Sequence, residues 1–99
     1  MNYTVRLRPE AEHDLSSAAA CWYERQQYQL GQEFLDEFMK VRRTLAESPL
    51  IYAVVYRLTH RTVLNRFPFG VYFRVEGDEV VIVAVMHGSR HPKRWHGRT

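Results

Sequence analysis

The sequence offers little for a covalent or metallic framework. Cys21 is the only cysteine among 99 residues, so no disulfide can close within the chain. Its place beside Trp22 in a helical pattern predicts a small apolar packing residue and a reducing compartment. Five histidines are present, yet His87, His91 and His96 have neither a cysteine nor an acid near them in the tail, which argues against a structural zinc site. No metal and no cofactor is therefore expected. Long apolar runs are also missing. The longest covers residues 80–86, far short of the ~20 that span a bilayer, and the N-terminus lacks the apolar core of a signal peptide. The expectation is a cytoplasmic protein with no membrane partner. There is no glycine-rich phosphate loop, no Gly-x-Ser-x-Gly elbow and no His-Glu-x-x-His pair, and no repeat, linker or low-complexity stretch divides the chain. One domain over residues 1–99 is expected.

Acidic residues are scarce in one half only. Residues 1–47 carry six Lys/Arg against eight Asp/Glu, whereas residues 48–99 carry eight against three, and nothing after Glu79 is acidic. The net charge of +3 thus divides into −2 and +5. An uncompensated basic surface attracts polyanions, so nucleic acid or an acidic protein segment is the indicated partner class, with a merely solubilising face as the alternative. A chain this short buries only about 60–65% of its unfolded surface, so a partner that covers apolar area would add much to stability.

Period-2 alternation of Tyr3, Val5 and Leu7 with polar neighbours predicts a first strand ended by Pro9. That proline fits the first turn of a helix, where Glu10, Glu12 and Asp14 meet the positive end of the macrodipole. Leu15, Ala18, Ala19 and Trp22 follow the i, i+3, i+4, i+7 template for its buried face, while Glu24, Arg25 and Gln26 lead to solvent. The small residues at 18 to 20 favour close approach of another element. Gly31 marks an interruption. Beyond it Phe34, Phe38, Val41 and Leu45, widened by Leu35 and Met39, predict a second helix, antiparallel to the first and closed at Ser48-Pro49. Strands are predicted over 61–67, 71–76 and 79–87, with Gly77-Asp78 as a two-residue hairpin turn. The last strand is apolar on both faces and belongs inside the sheet or under cover on both sides. Residues 50–60 read as a turn or short strand, and 88–99 as short helix or loop. The class is α+β, with two helices on one face of an antiparallel sheet.

The stretch Arg66-Phe67-Pro68-Phe69-Gly70-Val71-Tyr72-Phe73-Arg74-Val75 precedes a Gly-Asp turn, a valine-rich strand and His87-Gly88-Ser89-Arg90-His91-Pro92-Lys93-Arg94-Trp95. In that order it resembles the C-terminal half of toxins of the RelE/ParE superfamily from bacterial type II toxin–antitoxin pairs, on the ParE-like side. Arg61 and Pro9-Glu10-Ala11 extend the resemblance over nearly the whole chain. The resemblance implies a β-α-α-β-β-β fold, a cognate antitoxin, and toxicity through an essential nucleic-acid machine. For the ParE-like branch that machine is DNA gyrase, poisoned without a hydrolytic site. For the RelE-like branch it is the ribosome, on which mRNA is cut. An inactive member kept as an interaction module is a third reading.

Metal-free RNA cleavage needs a base for the 2′-hydroxyl, cations for the phosphorane and an acid for the leaving oxygen. Arg66, His87, Arg90 and His91 are the residues that would supply those roles, against the plainer reading of His87 as a strand-end cap. The nuclease branch typically adds a C-terminal tyrosine or several lysines. Here no tyrosine follows Phe73, and Lys93 is the one lysine in the last 26 residues. Arg61, Arg66, Arg90, Lys93, Arg94 and Trp95 are accordingly the expected target-binding residues, with Arg98 extending the cationic tail. The cations would meet phosphate, gyrase or an acidic antitoxin, and Trp95 would either stack on a base or tuck against the sheet.

Overall fold

A computed structural model describes residues 2–99. Strand β1 (Thr4–Leu7) leads into helix α1 (Pro9–Ser16), which continues as a π-helical stretch over Ser17–Tyr23 and a last turn, α2 (Glu24–Gln26). Helix α3 (Leu30–Glu47) returns antiparallel and ends in a 3-10 turn, Pro49–Ile51. Strands β2 (Val54–Tyr56), β3 (Thr59–Val63), β4 (Phe69–Glu76) and β5 (Glu79–His87) follow, and α4 (Lys93–His96) closes the fold.

The sheet runs β1-β5-β4-β3-β2. Strands β2 to β5 form an antiparallel meander, but β1 lies parallel to β5, from Thr4 opposite Glu79 to Leu7 opposite Ile82. The expectation of a wholly antiparallel sheet is corrected here. The two helices carry the chain away from β1 and the meander returns β5 alongside it in the same direction, a non-local pairing that no local pattern encodes. The expected β-α-α-β-β-β string likewise gains β2 as the first strand of the meander and α4 after its last. The strand expected at 61–67 is shifted to Thr59–Val63, and the next begins at Phe69 rather than 71. The hairpin holds: Glu76 and Glu79 pair across Gly77-Asp78, with Gly77 at φ 64°, where a Cβ would be strained.

The first helix departs from its expected face. A 3.6-residue period puts Trp22 inside, yet Trp22 is 57% exposed while Tyr23 is buried. The π-helical stretch supplies the reason, since its wider turn moves the buried position from i+4 to i+5, from Ala18 to Tyr23. Cys21 rotates outward with Trp22 and is exposed, so the packing role expected of it is corrected as well. Gly31 lies inside α3, not at a break. A Cβ there would sit 2.3 Å from the Ala19 carbonyl oxygen, so glycine is what lets the two helices touch at backbone distance. The α3 start is held by Glu24, whose carboxylate accepts from Gln29 N at 3.0 Å and Gly31 N at 3.1 Å.

Phe34, Phe38 and Leu45 of α3 pack with Val71, Phe73, Val80 and Ile82 on the helix side of the sheet. Tyr72, Val81, Val83, Ala84 and Met86 fill the opposite face around Trp95. Pairing skips Val83 between Ile82 and Ala84, a bulge that shifts the alternation by one residue. Beyond it, Val85 turns to the helix side with its partner Val71, and His87 follows opposite Phe69. The bulge therefore aims the end of β5 at the first helix.

Candidate functional site

A cleft of ≈ 740 Å³ opens between the first helix, the end of β5 and the tail. His13, Asp14, Ser17, Cys21 and Trp22 form one wall, Phe69, Val85, Met86 and His87 the floor, and Arg90, Arg94 and Arg98 the other wall. Three guanidiniums thus face one carboxylate. Arg98 spends its charge on that carboxylate, with Nη1 at 2.6 Å from Asp14 Oδ2, and also donates to the Val83 carbonyl at 3.1 Å. Asp14 accepts in addition from Val85 N at 3.1 Å. The carboxylate serves the part of the β5 edge that β1 leaves free, because β1 pairing stops at Ile82. Among the described residues Arg90, Lys93 and Arg94 form no ion pair, so the free charge of the cleft is cationic.

Asp14→Ala would strand both the Val85 N–H and the Arg98 guanidinium. An expected loss of roughly 1–3 kcal/mol follows for partly buried groups deprived of a partner. In a domain of this size each kcal/mol lowers Tm by about 4–8 °C, which a thermal melt resolves. An unchanged melt would show that water replaces the carboxylate at no cost.

The tail is fastened by aromatic contacts. Trp95 is only 5% exposed, stacked on Tyr72 at 4.3 Å and edge-on to Tyr56 at 5.8 Å. His96 stacks on Tyr56 at 3.6 Å. Of the two roles expected for Trp95, tucking against the sheet is the one this packing supports, because the ring has no free face on which to stack a base. It acts on the cleft by seating α4, which places Arg94.

The remaining expected residues separate. Arg90 and Arg94 line the cleft together with His87, whereas Arg61 and Arg66 line another depression of ≈ 500 Å³, with Phe69 bordering both. Arg66 pairs with Glu33 at 2.9 Å and lies over the Phe67 ring. The loop that carries it is pinned by buried Glu37, which accepts from Asn65 N and Arg66 N. Lys93 and His91 are exposed and line neither cleft. The histidines act as local caps: His87 Nδ1 accepts from Ser89 N at 3.0 Å and His91 Nδ1 from Lys93 N at 3.1 Å. In a neutral imidazole, an Nδ1 that accepts a backbone N–H leaves the ring proton on Nε2, which is then a donor. Residues that sequence reasoning did not assign to the site are His13, Asp14, Cys21 and Trp22. The π-helical turn and the 84-residue separation of Asp14 from Arg98 leave no local signature of them. Among the described residues no cluster of metal-binding side chains occurs and no helix is long and apolar enough to cross a membrane.

The family described as the ParE toxin of the parDE type II toxin–antitoxin system matches residues 5–92. Among solved structures, the chain is similar to one from the chromosomal ParDE toxin–antitoxin system of P. aeruginosa, with 17% identity, a TM-score of 0.74, and 86% of this chain and 95% of that one covered. It is also similar to one from the RelBE2 toxin–antitoxin complex of Mycobacterium tuberculosis, with 20% identity, a TM-score of 0.60, and 88% and 99% covered. No curated protein sequence matches it. Likeness at these identities establishes the shared fold, and the family match stops at Pro92, one residue before α4.

Proposed function

The chain belongs to the ParE toxin family of type II toxin–antitoxin systems, and from that premise we propose that it is a non-enzymatic inhibitor of DNA gyrase, neutralised in the cytoplasm by a cognate antitoxin. The observation that carries the reading is the cleft in which Arg90 and Arg94 stand, among the described residues, without a carboxylate partner beside the apolar side chains of Phe69, Val85 and Met86. Such a surface suits an acidic segment of a large protein target, since paired electrostatics raise the encounter rate and apolar contact holds the complex. General acid–base work finds less support. His87 and His91 commit their Nδ1 atoms to backbone caps, and Arg66, the expected phosphorane-stabilising cation, is paired to Glu33 and lines the other depression.

Purified protein is expected to inhibit gyrase supercoiling, and cells expressing it to show DNA-damage signalling with mRNA intact. His87→Ala separates the mechanisms, because an endonuclease using that imidazole would lose on the order of 10²–10⁴-fold in rate while a binding inhibitor should change little. Loss of translated mRNA with gyrase unimpaired, abolished by His87→Ala, would move the chain to the RelE-like mechanism. Antitoxin binding with neither activity would make it an inactive interaction module.

A further inference from the structure

Trp22 is the largest apolar side chain of the first helix, and it stands exposed on the wall of the cationic cleft. A regular α-helix would not leave it there. Ala11, Leu15, Ala18 and Trp22 fall on one 3.6-residue stripe, so an unbroken helix would carry the indole toward the sheet. The π-helical form of Ser17–Tyr23 brings Tyr23 inward instead, where its ring meets Phe34, Phe67 and Phe69 at 5.2, 4.8 and 5.9 Å between centroids. Those contacts fasten the stretch and hold the indole outside. Turns of this kind are rare and occur frequently at functional sites, and this one leaves in water a side chain that a straight helix could have buried. What surrounds the indole indicates what it meets. Phe69, Val85 and Met86 lie in the same cleft with Arg90 and Arg94, and the cleft's one carboxylate, Asp14, is taken by Arg98. Tryptophan and arginine are the residue types that most often dominate the binding energy of protein interfaces. Here both kinds share one depression.

We propose that Trp22 is the anchor of the target interface: the indole packs against an apolar side chain of an acidic segment of the target while Arg90 and Arg94 pair with that segment's carboxylates. The proposal rests on the gyrase reading above and deepens it. Exposed cations steer an encounter but hold a complex weakly, because they are screened by salt and stay solvated. An indole that loses its water on docking supplies the apolar contact that slows dissociation. The π-helical turn is thereby given a function, since it is what points Trp22 into the cleft.

The test uses the full chain and purified gyrase. Trp22→Ala should melt as the parent does, since the side chain is 57% exposed, yet need on the order of 30-fold more protein for half-inhibition of supercoiling, the loss expected of an interface anchor. Trp22→Phe should recover most of that loss. A second readout needs no variant. Cys21 is the chain's only cysteine, is exposed and lines the same cleft, so its alkylation by iodoacetamide, followed on the chain's own peptides by mass spectrometry, should slow when gyrase is bound. A folded Trp22→Ala that inhibits like the parent overturns the proposal and leaves the gyrase reading intact, as does Cys21 alkylated in the complex at the rate of the free chain. A variant that binds antitoxin more weakly while inhibiting gyrase normally overturns it in favour of an antitoxin contact. If Trp22→Ala does not fold, protection of Cys21 in the wild-type complex decides. If the wild-type chain neither binds nor inhibits gyrase, the gyrase reading falls and the proposal with it.

Discussion

The triple change Arg90→Ala, Lys93→Ala, Arg94→Ala is expected to abolish toxicity while the protein melts as the wild type does. All three side chains are exposed and none is in an ion pair among the described residues, so each should alter stability by no more than about ±0.5 kcal/mol. Lys93 donates its backbone N–H to His91 Nδ1, which alanine keeps. Function responds differently, because the cleft loses two of its three guanidiniums and the third is neutralised by Asp14. A cationic groove becomes a neutral one, and both steering and docking of an acidic target are lost. Antitoxin binding should survive, since the domain still folds. Growth on induction, gyrase supercoiling, Tm and antitoxin affinity are the four readouts. A triple variant as toxic as the parent would remove the tail from the mechanism, and since the family match ends before α4, membership alone gives no ground for a role there.

What could be read in advance was what neighbouring residues determine. The Gly77-Asp78 turn was legible because one φ of 64° demands glycine, and β5 because seven consecutive apolar residues need cover on both faces. Phe34, Phe38 and Leu45 kept their face because α3 is a regular helix. The misses share a physical cause: a change of period or a partner far along the chain. The π-helical stretch moved Trp22 outward and Tyr23 inward without altering composition, and the Val83 bulge reset which β5 residues face the helices. Residues 50–60, read as a turn or short strand, hold β2, and the sequence does not decide between the two because its valines are exposed and show no alternation against a core. In the candidate site, His87, Arg90 and Arg94 fall within one eight-residue stretch, so the sequence itself keeps them near one another. Asp14 was read as a favourable charge on a helix N-terminus, and only the fold places it against Val85 N and Arg98, where it also shapes the cleft. Arg61 and Arg66, grouped with the tail by charge alone, line a different depression.

Trp95→Ala should produce the opposite outcome to the triple change: a collapse of Tm together with loss of toxicity. The ring is 5% exposed and shares the second face of the sheet with Tyr72, Val81, Val83, Ala84 and Met86. Removing an indole from such a site typically costs about 3–5 kcal/mol through lost transfer energy and the cavity left behind, a large fraction of the ~5–15 kcal/mol that holds a domain together. At about 4–8 °C per kcal/mol the melt should move by on the order of 20 °C. Helix α4 has only four residues, too few to persist without tertiary support. Its other ties include the His96–Tyr56 stack and, through the residues that follow, the Arg98–Asp14 pair and the bonds that Arg8 and Arg74 donate to the Arg98 and Thr99 carbonyls. With Trp95 gone, Arg94 loses its fixed place on the cleft wall even in the fraction that stays folded. Trp95→Phe should recover most of the stability by keeping an aromatic ring against Tyr72. Differential scanning calorimetry of the two variants, alongside toxicity, separates an anchor from a contact residue. If Trp95→Ala instead melts like the parent while losing toxicity, the indole meets the target directly, and the packing of α4 against Tyr72 and Tyr56 is not what holds the cationic wall in place.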